Sequence, residues 1–484
     1  MRINSGVLSA LTFIWLCSGV TFAATISYQQ TYPVIPVGTT VIGLDLLTEL
    51  PATDYGAAFA NGTEKIANSD GDFIAFDRIS NIYHINKSNE RSLLLDIAAN
   101  IGAGYIKNGS QLGLQYAVPH PEYATNNALG SNKIYTTTTE SINPDPNAQL
   151  FSLPADIALS PHHFDVISEW DLSGSVPVRS VLMVIETPYN DHNSRWLGFD
   201  SKQNLYISVG DGGNTFRTSG DQVGMHGFGQ RSDSPLGSIL RIKPDGVGGY
   251  DVPTDNPFIN DSTSISEKYA SGLRNPQHCW IDNTDNLFCG DIGQRLAEEV
   301  NQIIGGGNYG WTHREGHYCI VASDQDLAEM CAPDPNYIDP LYAYAHINNS
   351  SGRENRAIGG VTFCEACGIA ELEGFFLNVD LASGAMMAYD PSTQTLNELL
   401  FKDLQSGEIG SYNTLSGLAR VEARLGSCTD NFLCFISRVD DKIYRLSSVI
   451  EVPTPTSLSL FIGVALFLLV RTRRHLNSNP IKLT

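Results

Sequence analysis

Short apolar runs alternate with turn-forming residues along most of this chain. The runs are rich in β-branched and aromatic side chains and are bounded by Gly, Pro, Asn and Asp. Examples are Phe73–Phe76, Ser180–Ile185, Asn204–Val209, Ser238–Ile242, Gly374–Val379 and Lys442–Leu446. Runs of this length predict β-strands, and no long stretch has the periodicity of an amphipathic helix. The pattern therefore predicts an all-β protein.

Two segments share one residue pattern, and this repeat indicates how the strands are arranged. Phe199–Ser208 and Ile281–Gly290 each consist of an apolar residue, an acidic turn and a strand that begins Asn-Leu-aromatic. They lie about 80 residues apart, which suits repeating units with inserted loops. The body shows no low-complexity linker. A radial repeat, as in a β-propeller, is the economical arrangement because it leaves few unpaired strand edges.

The N-terminus has the pattern of a secretory signal peptide. Arg2 precedes the apolar stretch Val7–Leu16, and Thr21–Ala23 supplies the small residues that a signal peptidase reads. We expect residues 1–23 to be removed. The alternative is an uncleaved N-terminal anchor, although the apolar stretch is short for a membrane span.

The C-terminus predicts a membrane tether. Two prolines precede the apolar run Leu458–Val470, and Arg471, Arg473 and Arg474 follow it. Basic residues stay on the cytoplasmic side, so a single hydrophobic helix within residues 450–484 would leave the globular part, residues 24–449, on the outer side. We therefore expect an exported protein on the periplasmic or cell-surface side of the membrane.

The same tail resembles the PEP-CTERM sorting signal of Gram-negative bacteria, which an exosortase processes. Val452–Thr456, the apolar run and the arginines carry the resemblance, although Thr454 stands where the signal usually has glutamate. The tail is therefore either a processed sorting signal or a retained anchor.

Charge and cysteine content narrow the function. The formal net charge is −22, from 52 acidic and 30 basic residues, which argues against a nucleic-acid partner. An anionic ligand would need locally concentrated arginine or a bound cation. Outside the signal peptide the cysteines form four close pairs, which in an exported chain predict local disulfides. These pairs are Cys279/Cys289, Cys319/Cys331, Cys364/Cys367 and Cys428/Cys434. For Cys364/Cys367, a redox dithiol is the alternative.

Loops, strands and glycine turns alternate between Tyr269 and Trp311. Arg274 and Asn275 precede a proline, which indicates a rigid loop. The backbone carbonyls of Gly293 and Gln294 can face a ligand or a hard cation. From the spacing alone, ordinary glycine turns are the favoured interpretation.

The exact residue order in this region is more informative about the protein family than the spacing of its glycines. The segments GLRNPQHC (272–279), LFCGDIGQ (287–294), EEVNQI (298–303) and GGGNYGWTHREG (305–316) resemble the glucose/sorbosone dehydrogenase family. The paired cysteines 279 and 289 resemble its Hedgehog-interacting-protein-like branch. The resemblance extends over roughly residues 40–447 and implies a six-bladed β-propeller.

Catalytic members of this family use pyrroloquinoline quinone (PQQ) and calcium to oxidise aldoses or related alcohols, and they pass the electrons to an external acceptor. By resemblance, His192 in the segment Asp191–Ser194 is the general base, and Asp211 is the carboxylate that orients it. A neutral imidazole accepts the hydroxyl proton, and a buried carboxylate fixes its tautomer. Without the resemblance, His192 would be read as a loop histidine and Asp211 as a turn residue.

The resemblance also implies the cofactor and metal contacts. Arg274 matches the arginine that bonds the quinone carbonyl, where a guanidinium stabilises growing negative charge, and Asn275 matches a second contact. Gly293 and Gln294 stand where backbone carbonyls hold calcium.

Two departures from the family pattern leave a second hypothesis open. Ala382 stands where the family has the lysine that pairs with the PQQ carboxylates, and no basic pair is recognisable on the next blade. Arg353 and Arg356 are candidate substitutes. The first hypothesis is therefore a PQQ-dependent sugar or alcohol dehydrogenase. The second is a non-catalytic propeller that serves as a cell-surface or matrix binding module.

Overall fold

The computed structural model describes residues 35–449, except for 54–58, 108–110, 158, 214–226, 295, 321–328, 347–356 and 430–431. The predicted signal peptide (1–23) and the predicted hydrophobic helix (within 450–484) lie outside the described residues. Within them, none of the helices is long and apolar enough to cross a membrane. The helical segments are α1 (Ile97–Ile101), α2 (Tyr412–Ser416) and the 3-10 turns Gly102–Gly104, Phe228–Gln230 and Ala370–Leu372.

The strands form six blades that follow one another along the chain, and the first strand, β1 (Val37–Glu49), belongs to the last blade. Blade 1 contains β2 (Ala60–Lys65), β3 (Phe73–Asp77), β4 (Asn81–Ile85) and β5 (Arg91–Asp96). Blade 2 contains β6 (Leu114–Pro119), β7 (Lys133–Glu140), β8 (Gln149–Phe151), β9 (His163–Asp171) and β10 (Val178–Thr187). Blade 3 contains β11 (Leu197–Phe199), β12 (Leu205–Val209), β13 (Ser238–Pro244), β14 (Tyr250–Asp251) and β15 (Lys268–Ser271). The short strands β8 and β14 are additions to four-stranded blades.

The second half of the chain repeats the plan. Blade 4 contains β16 (Pro276–Ile281), β17 (Leu287–Asp291), β18 (Ala297–Ile303) and β22 (Tyr342–Ala345). A small sheet of β19 (Arg314–Glu315), β20 (Tyr318–Cys319) and β21 (Glu329–Met330) is inserted before β22. Blade 5 contains β23 (Ile358–Phe363), β24 (Phe376–Asp380), β25 (Met386–Asp390) and β26 (Thr395–Asp403), with β27 (Ile409–Gly410) beside β26. Blade 6 contains β28 (Ala423–Ser427), β29 (Leu433–Ser437) and β30 (Lys442–Ser448).

The N-terminal strand closes the structure. β1 pairs antiparallel with β30 and so becomes the fourth strand of blade 6, and it also pairs in parallel with β26 of blade 5. The innermost strands contact one another in a closed ring, in the order β2, β6, β11, β16, β23, β28 and back to β2. The predicted all-β, six-bladed propeller is therefore confirmed, with its hydrophobic core between the blades.

The two repeated segments adopt the same turn at the same place in their blades. In each, an aspartate accepts hydrogen bonds from the backbone and side chain of the asparagine four residues later. For Asp200 and Asn204 the distances are 2.8 and 2.7 Å, and for Asp282 and Asn286 both are 2.9 Å. Each turn joins the innermost strand to the second strand, and so the sequence repeat marks equivalent blade positions.

All four predicted local disulfides are present: Cys279–Cys289, Cys319–Cys331, Cys364–Cys367 and Cys428–Cys434. Cys279 and Cys289 lie opposite each other on β16 and β17 and are fully buried. Cys364 and Cys367 are also buried, at 0% and 2% exposure, which leaves neither sulfur accessible to a redox partner.

Candidate functional site

A cavity of about 890 Å³ lies where the six innermost strands begin. Because these strands run in the same direction around the propeller axis, their first residues meet at one end of the ring. A lining residue lies within two positions of the start of each strand: Phe59, Leu112, Arg195, Asn275, Ala357 and Glu422. The cavity is therefore built from all six blades.

The structure brings the residues singled out in the sequence to this one place. The lining contains His192, Arg274, Asn275, Gly293 and Gln294. Asp211, the remaining predicted site residue, does not line the cavity. It is fully buried and lies directly behind His192.

His192 is held by a chain of hydrogen bonds. Its Nδ1 lies 2.6 Å from Oδ1 of Asp211, and Oδ2 of Asp211 accepts a hydrogen bond of 2.7 Å from Nε1 of Trp311. A carboxylate at Nδ1 favours the tautomer that carries its proton there, which leaves Nε2 free to accept a proton. Nε2 is 3.6 Å from the half-exposed carboxylate of Asp191.

Glycines beside Asp211 make this close approach possible. A Cβ atom on Gly210 would lie 2.2 Å from the backbone oxygen of His192, which no side chain can tolerate. Gly213 adopts a φ of +77° and donates its N–H to Oδ1 of Asp211 at 3.1 Å. The segment Gly-Asp-Gly-Gly therefore brings the strand end against the His192 loop.

Arg274 and Asn275 are positioned by a residue that the sequence reasoning missed. Asp291, at the end of β17, accepts the backbone N–H of Arg274 at 2.8 Å and that of Asn275 at 2.6 Å. Burial raises the pKa of this carboxyl to about 7. The sequence does contain a sign of this role. Asp291 is the aspartate of the segment LFCGDIGQ, and it stands between an apolar strand and a glycine turn.

The guanidinium of Arg274 reaches one of the two backbone carbonyls on which the calcium prediction rests, that of Gly293. Nη1 donates to the oxygens of Ile292 at 2.7 Å and Gly293 at 2.9 Å, and Nη2 bonds the side chain of Gln294. Its Nε is buried and has no hydrogen-bond partner in the part of the chain that the structure describes. The described residues also contain no cluster of three or more His, Cys, Asp or Glu that could hold a metal.

Buried arginines form the second feature of the cavity. Arg78, Arg195, Arg424 and Arg438 all line it, and each is less than 9% exposed. Arg424 is the second residue of β28, and Arg438 directly follows β29. No basic pair is recognisable on blade 6 from the sequence, but the structure brings Arg424 and Arg438 to the cavity. The proposed substitutes, Arg353 and Arg356, lie outside the described residues.

Three of these arginines are bonded to neutral oxygens. Arg78 donates to the carbonyl of Leu112 at 3.1 Å, and Arg424 donates to Oε1 of Gln277 at 3.0 Å. Arg195 and Arg78 both reach Oε1 of Gln115 at 3.4 Å, and Arg195 also reaches Asn61 at 3.4 Å. Among the described residues, none of the three forms an ion pair.

The electrostatic consequence is a buried excess of positive charge. Burial, and then the neighbouring arginines, lowers the pKa of Arg78 and of Arg195 well below the ordinary range. The same causes lower the pKa of Arg424 to about 9. Charged groups are seldom left this way without a partner, because an uncompensated buried charge is costly.

The segment around Ala382 contributes no cation. It forms the turn between β24 and β25, where the carbonyl of Ala382 accepts the N–H of Val421 at 2.9 Å. Leu381, the preceding residue, lines the cavity. The position that the family resemblance assigns to a lysine is thus at the cavity edge and is apolar.

Comparison with known proteins agrees with this architecture. The profile of the family described as Glucose / Sorbosone dehydrogenase matches residues 65–405. The HIPL2 protein of Arabidopsis thaliana is 28% identical over 317 residues, which cover 58% of this chain and 44% of that protein. Aldose sugar dehydrogenase YliI of Escherichia coli (strain K12) is 30% identical over 143 residues, which cover 29% of this chain and 34% of the enzyme. The chain thus spans less than half the length of these relatives.

Solved structures show the same fold. The PQQ-bound form of aldose sugar dehydrogenase from Streptomyces coelicolor superposes with a TM-score of 0.54 at 18% identity, and the match covers 86% of this chain and 99% of that one. With the profile matched over more than half of its length, this chain belongs to the glucose/sorbosone dehydrogenase family.

Proposed function

We propose that this protein is an exported PQQ- and calcium-dependent dehydrogenase that oxidises an aldose sugar or a related alcohol. One observation carries the proposal. The His192–Asp211 pair and four buried arginines line or adjoin a single cavity in a chain whose formal net charge is −22. An acidic protein has no structural need to collect arginines around its axis, so their convergence supports an anionic ligand.

The cavity fits the cofactor of the family. PQQ is a tricarboxylate, and Arg424 and Arg438, with Arg78 and Arg195 nearby, supply the cations that would hold its carboxylates. The unpartnered Nε of Arg274 supplies a further buried donor. When bound, PQQ supplies the two-electron oxidant of the reaction, and an external acceptor then takes the electrons.

The protein's own residues would bind the substrate and move its proton. His192 would take the proton of the substrate hydroxyl on Nε2, since Asp211 holds the proton on Nδ1 at 2.6 Å. The positive charge that then develops on the imidazole is stabilised by the buried carboxylate. The guanidinium of Arg274 would stabilise the negative charge that develops on the electron acceptor.

The calcium part of the proposal requires a rearrangement. The carbonyl of Gly293 is bonded by Arg274 at 2.9 Å, and a guanidinium and a calcium ion at the same oxygen would repel each other. Calcium binding by the carbonyls of Gly293 and Gln294 therefore needs Arg274 to leave this oxygen. A calcium titration that follows the tryptophan fluorescence of the protein would detect the change, because the ring of Trp311 lies 5.4 Å from the Arg274 guanidinium.

The disulfides support the proposed location outside the cytoplasm, because such bonds form and persist in oxidising compartments. Cell fractionation tests export and the membrane tether. Mass spectrometry of the C-terminal peptide distinguishes a retained anchor from a tail processed by an exosortase.

A second candidate function is favoured by the apolar edge at Ala382. Without a lysine there, the propeller can serve as a non-catalytic cell-surface or matrix binding module. The two candidates differ in one measurable respect, which is whether PQQ binds and is reduced.

The decisive experiment uses the full chain with PQQ and calcium and follows dye reduction with a panel of aldoses and alcohols. We expect turnover in wild type, and its loss in His192→Ala with PQQ binding retained. The matched control is His84→Ala, which replaces a partly exposed histidine of blade 1 outside the cavity lining and should turn over as wild type does. Absence of turnover together with absence of thermal stabilisation by PQQ would reject the enzyme proposal in favour of the binding module.

A further inference from the structure

Glu422 is the only carboxylate among the described residues that line the cavity. It lies at the start of blade 6, between Arg420 and Arg424, and it faces the same space as the buried arginines. The proposed dehydrogenase reaction does not use it, so its presence in an anion-binding cavity needs an explanation.

The structure shows what Glu422 does there. One carboxylate oxygen bonds Nε of the exposed Arg420, and the other lies 3.4 Å from Nη1 of the buried Arg438. The Glu422 side chain is 21% exposed, and its backbone has a φ of +58°. Glutamate rarely adopts this left-handed conformation, which persists only where its surroundings compensate for the strain.

Glu422 is charged at neutral pH. Burial acts to raise its pKa, but the guanidinium groups of Arg424, Arg438 and Arg420 outweigh burial and hold the pKa below the ordinary value. A permanent negative charge therefore occupies part of the basic cavity, where it neutralises arginines that would otherwise face a ligand.

We propose that Glu422 is a built-in competitor for the anionic ligand of this cavity, and that it sets how tightly the cavity binds a polycarboxylate. The inference rests on the proposed function in so far as PQQ is that ligand. An incoming carboxylate must share Arg438 with Glu422, and it also meets the repulsion of a like charge in the same cavity.

The competition predicts the direction of two substitutions. Glu422→Gln keeps the shape of the side chain and removes its charge, so we expect PQQ to bind about tenfold more tightly. Arg420→Gln leaves Glu422 to pair with Arg438 more strongly, and it also removes a cation that lines the cavity, so we expect PQQ to bind more weakly. This weakening should be smaller when Arg420→Gln is made in the Glu422→Gln background.

The test is a binding titration of the full chain with PQQ, and separately with citrate, a tricarboxylate that lacks the quinone. Heat of binding or ligand-dependent thermal stabilisation is the readout, so no turnover is needed. Glu408→Gln is the matched control because it makes the same change in net charge at an exposed site on another blade. It should bind both ligands as wild type does.

Each outcome decides the matter. If Glu422→Gln binds both ligands no better than Glu408→Gln, or binds them more weakly, Glu422 orders the arginines and the competitor role is wrong. If Glu422→Gln does not fold, the Arg420→Gln chain carries the test, and unchanged affinity there overturns the proposal. If PQQ binds to no variant while citrate binds more tightly to Glu422→Gln, the proposed cofactor is wrong and the competitor role stands.

Discussion

Replacement of Asp211 by asparagine tests whether this buried carboxylate sets the hydrogen-bonding state of His192. Oδ1 of Asp211 faces Nδ1 of His192 at 2.6 Å and the N–H of Gly213 at 3.1 Å, and Oδ2 accepts from Trp311 at 2.7 Å. Asparagine turns one of these acceptors into a donor. If its NH₂ faces Trp311, two donors oppose each other. If it faces His192, the imidazole must accept on Nδ1 and so loses Nε2 as a base.

The cost can be worked out from these contacts. Loss of a hydrogen bond to a charged group, with a buried donor left unsatisfied, costs about 2–3 kcal/mol. The entropy of unfolding of about 400 ordered residues is roughly 0.85 kcal/mol/K, so Tm should fall by about 3 °C. Because the proposed general base, His192, is impaired, turnover should fall by about 10²- to 10⁴-fold. PQQ binding should change little, since Asp211 is fully buried behind His192.

Differential scanning calorimetry and the dye-reduction assay measure the two effects. Asp191→Asn is the matched control. Asp191 accepts the backbone N–H of His192 at 2.9 Å, and an asparagine side-chain oxygen can replace that acceptor. The reasoning is refuted if Asp211→Asn turns over within about threefold of Asp191→Asn, because the tautomer of His192 would then not depend on this carboxylate.

Two further predictions concern stability. Burial raises the pKa of Glu298 from 4.5 to about 7, and Glu298 in turn raises the pKa of its partner His346. Between about pH 4.5 and 7 the folded chain keeps the Glu298 proton that the unfolded chain releases, and above about pH 6.5 it keeps the His346 proton in the same way. The free energy of unfolding should therefore fall as the pH rises from about 4.5 to 7, and the His346 contribution should be lost only above about 6.5. Glu298→Gln should flatten this dependence in thermal unfolding series, and an unchanged slope would contradict the assignment. Replacement of Cys279 and Cys289 by serine should lower the free energy of unfolding by about 2–4 kcal/mol in denaturant titrations. Equal midpoints for this variant and oxidised wild type would contradict a stabilising role of the disulfide.

The strands and disulfides were accessible from the sequence because their determinants are local. An apolar run between turn residues encodes a strand within a few positions, as in Phe73–Phe76 and Asn204–Val209. Cysteine pairs close in sequence close small loops, as Cys279 and Cys289 do across two adjacent strands. The residue order of the segments between 272 and 316 also indicated the family, and the family resemblance implied six blades.

The composition of the cavity was only partly accessible. His192, Arg274 and Asn275 stand in recognisable segments, and the structure places them at one cavity. Arg78 and Arg438, by contrast, each follow an apolar strand without any motif. The neighbouring residues in the sequence do not distinguish an arginine that lines the cavity from one that faces solvent, because an arginine of either kind can follow a strand and precede a turn.

By itself, the sequence determined the strand content, the disulfide pairs and the family of this protein. Only the tertiary structure decided which charges meet on the propeller axis. Closure of the ring brings the starts of six strands together, from Phe59 to Glu422. Contacts between residues so far apart depend on the packing of every intervening blade, and no local pattern encodes them.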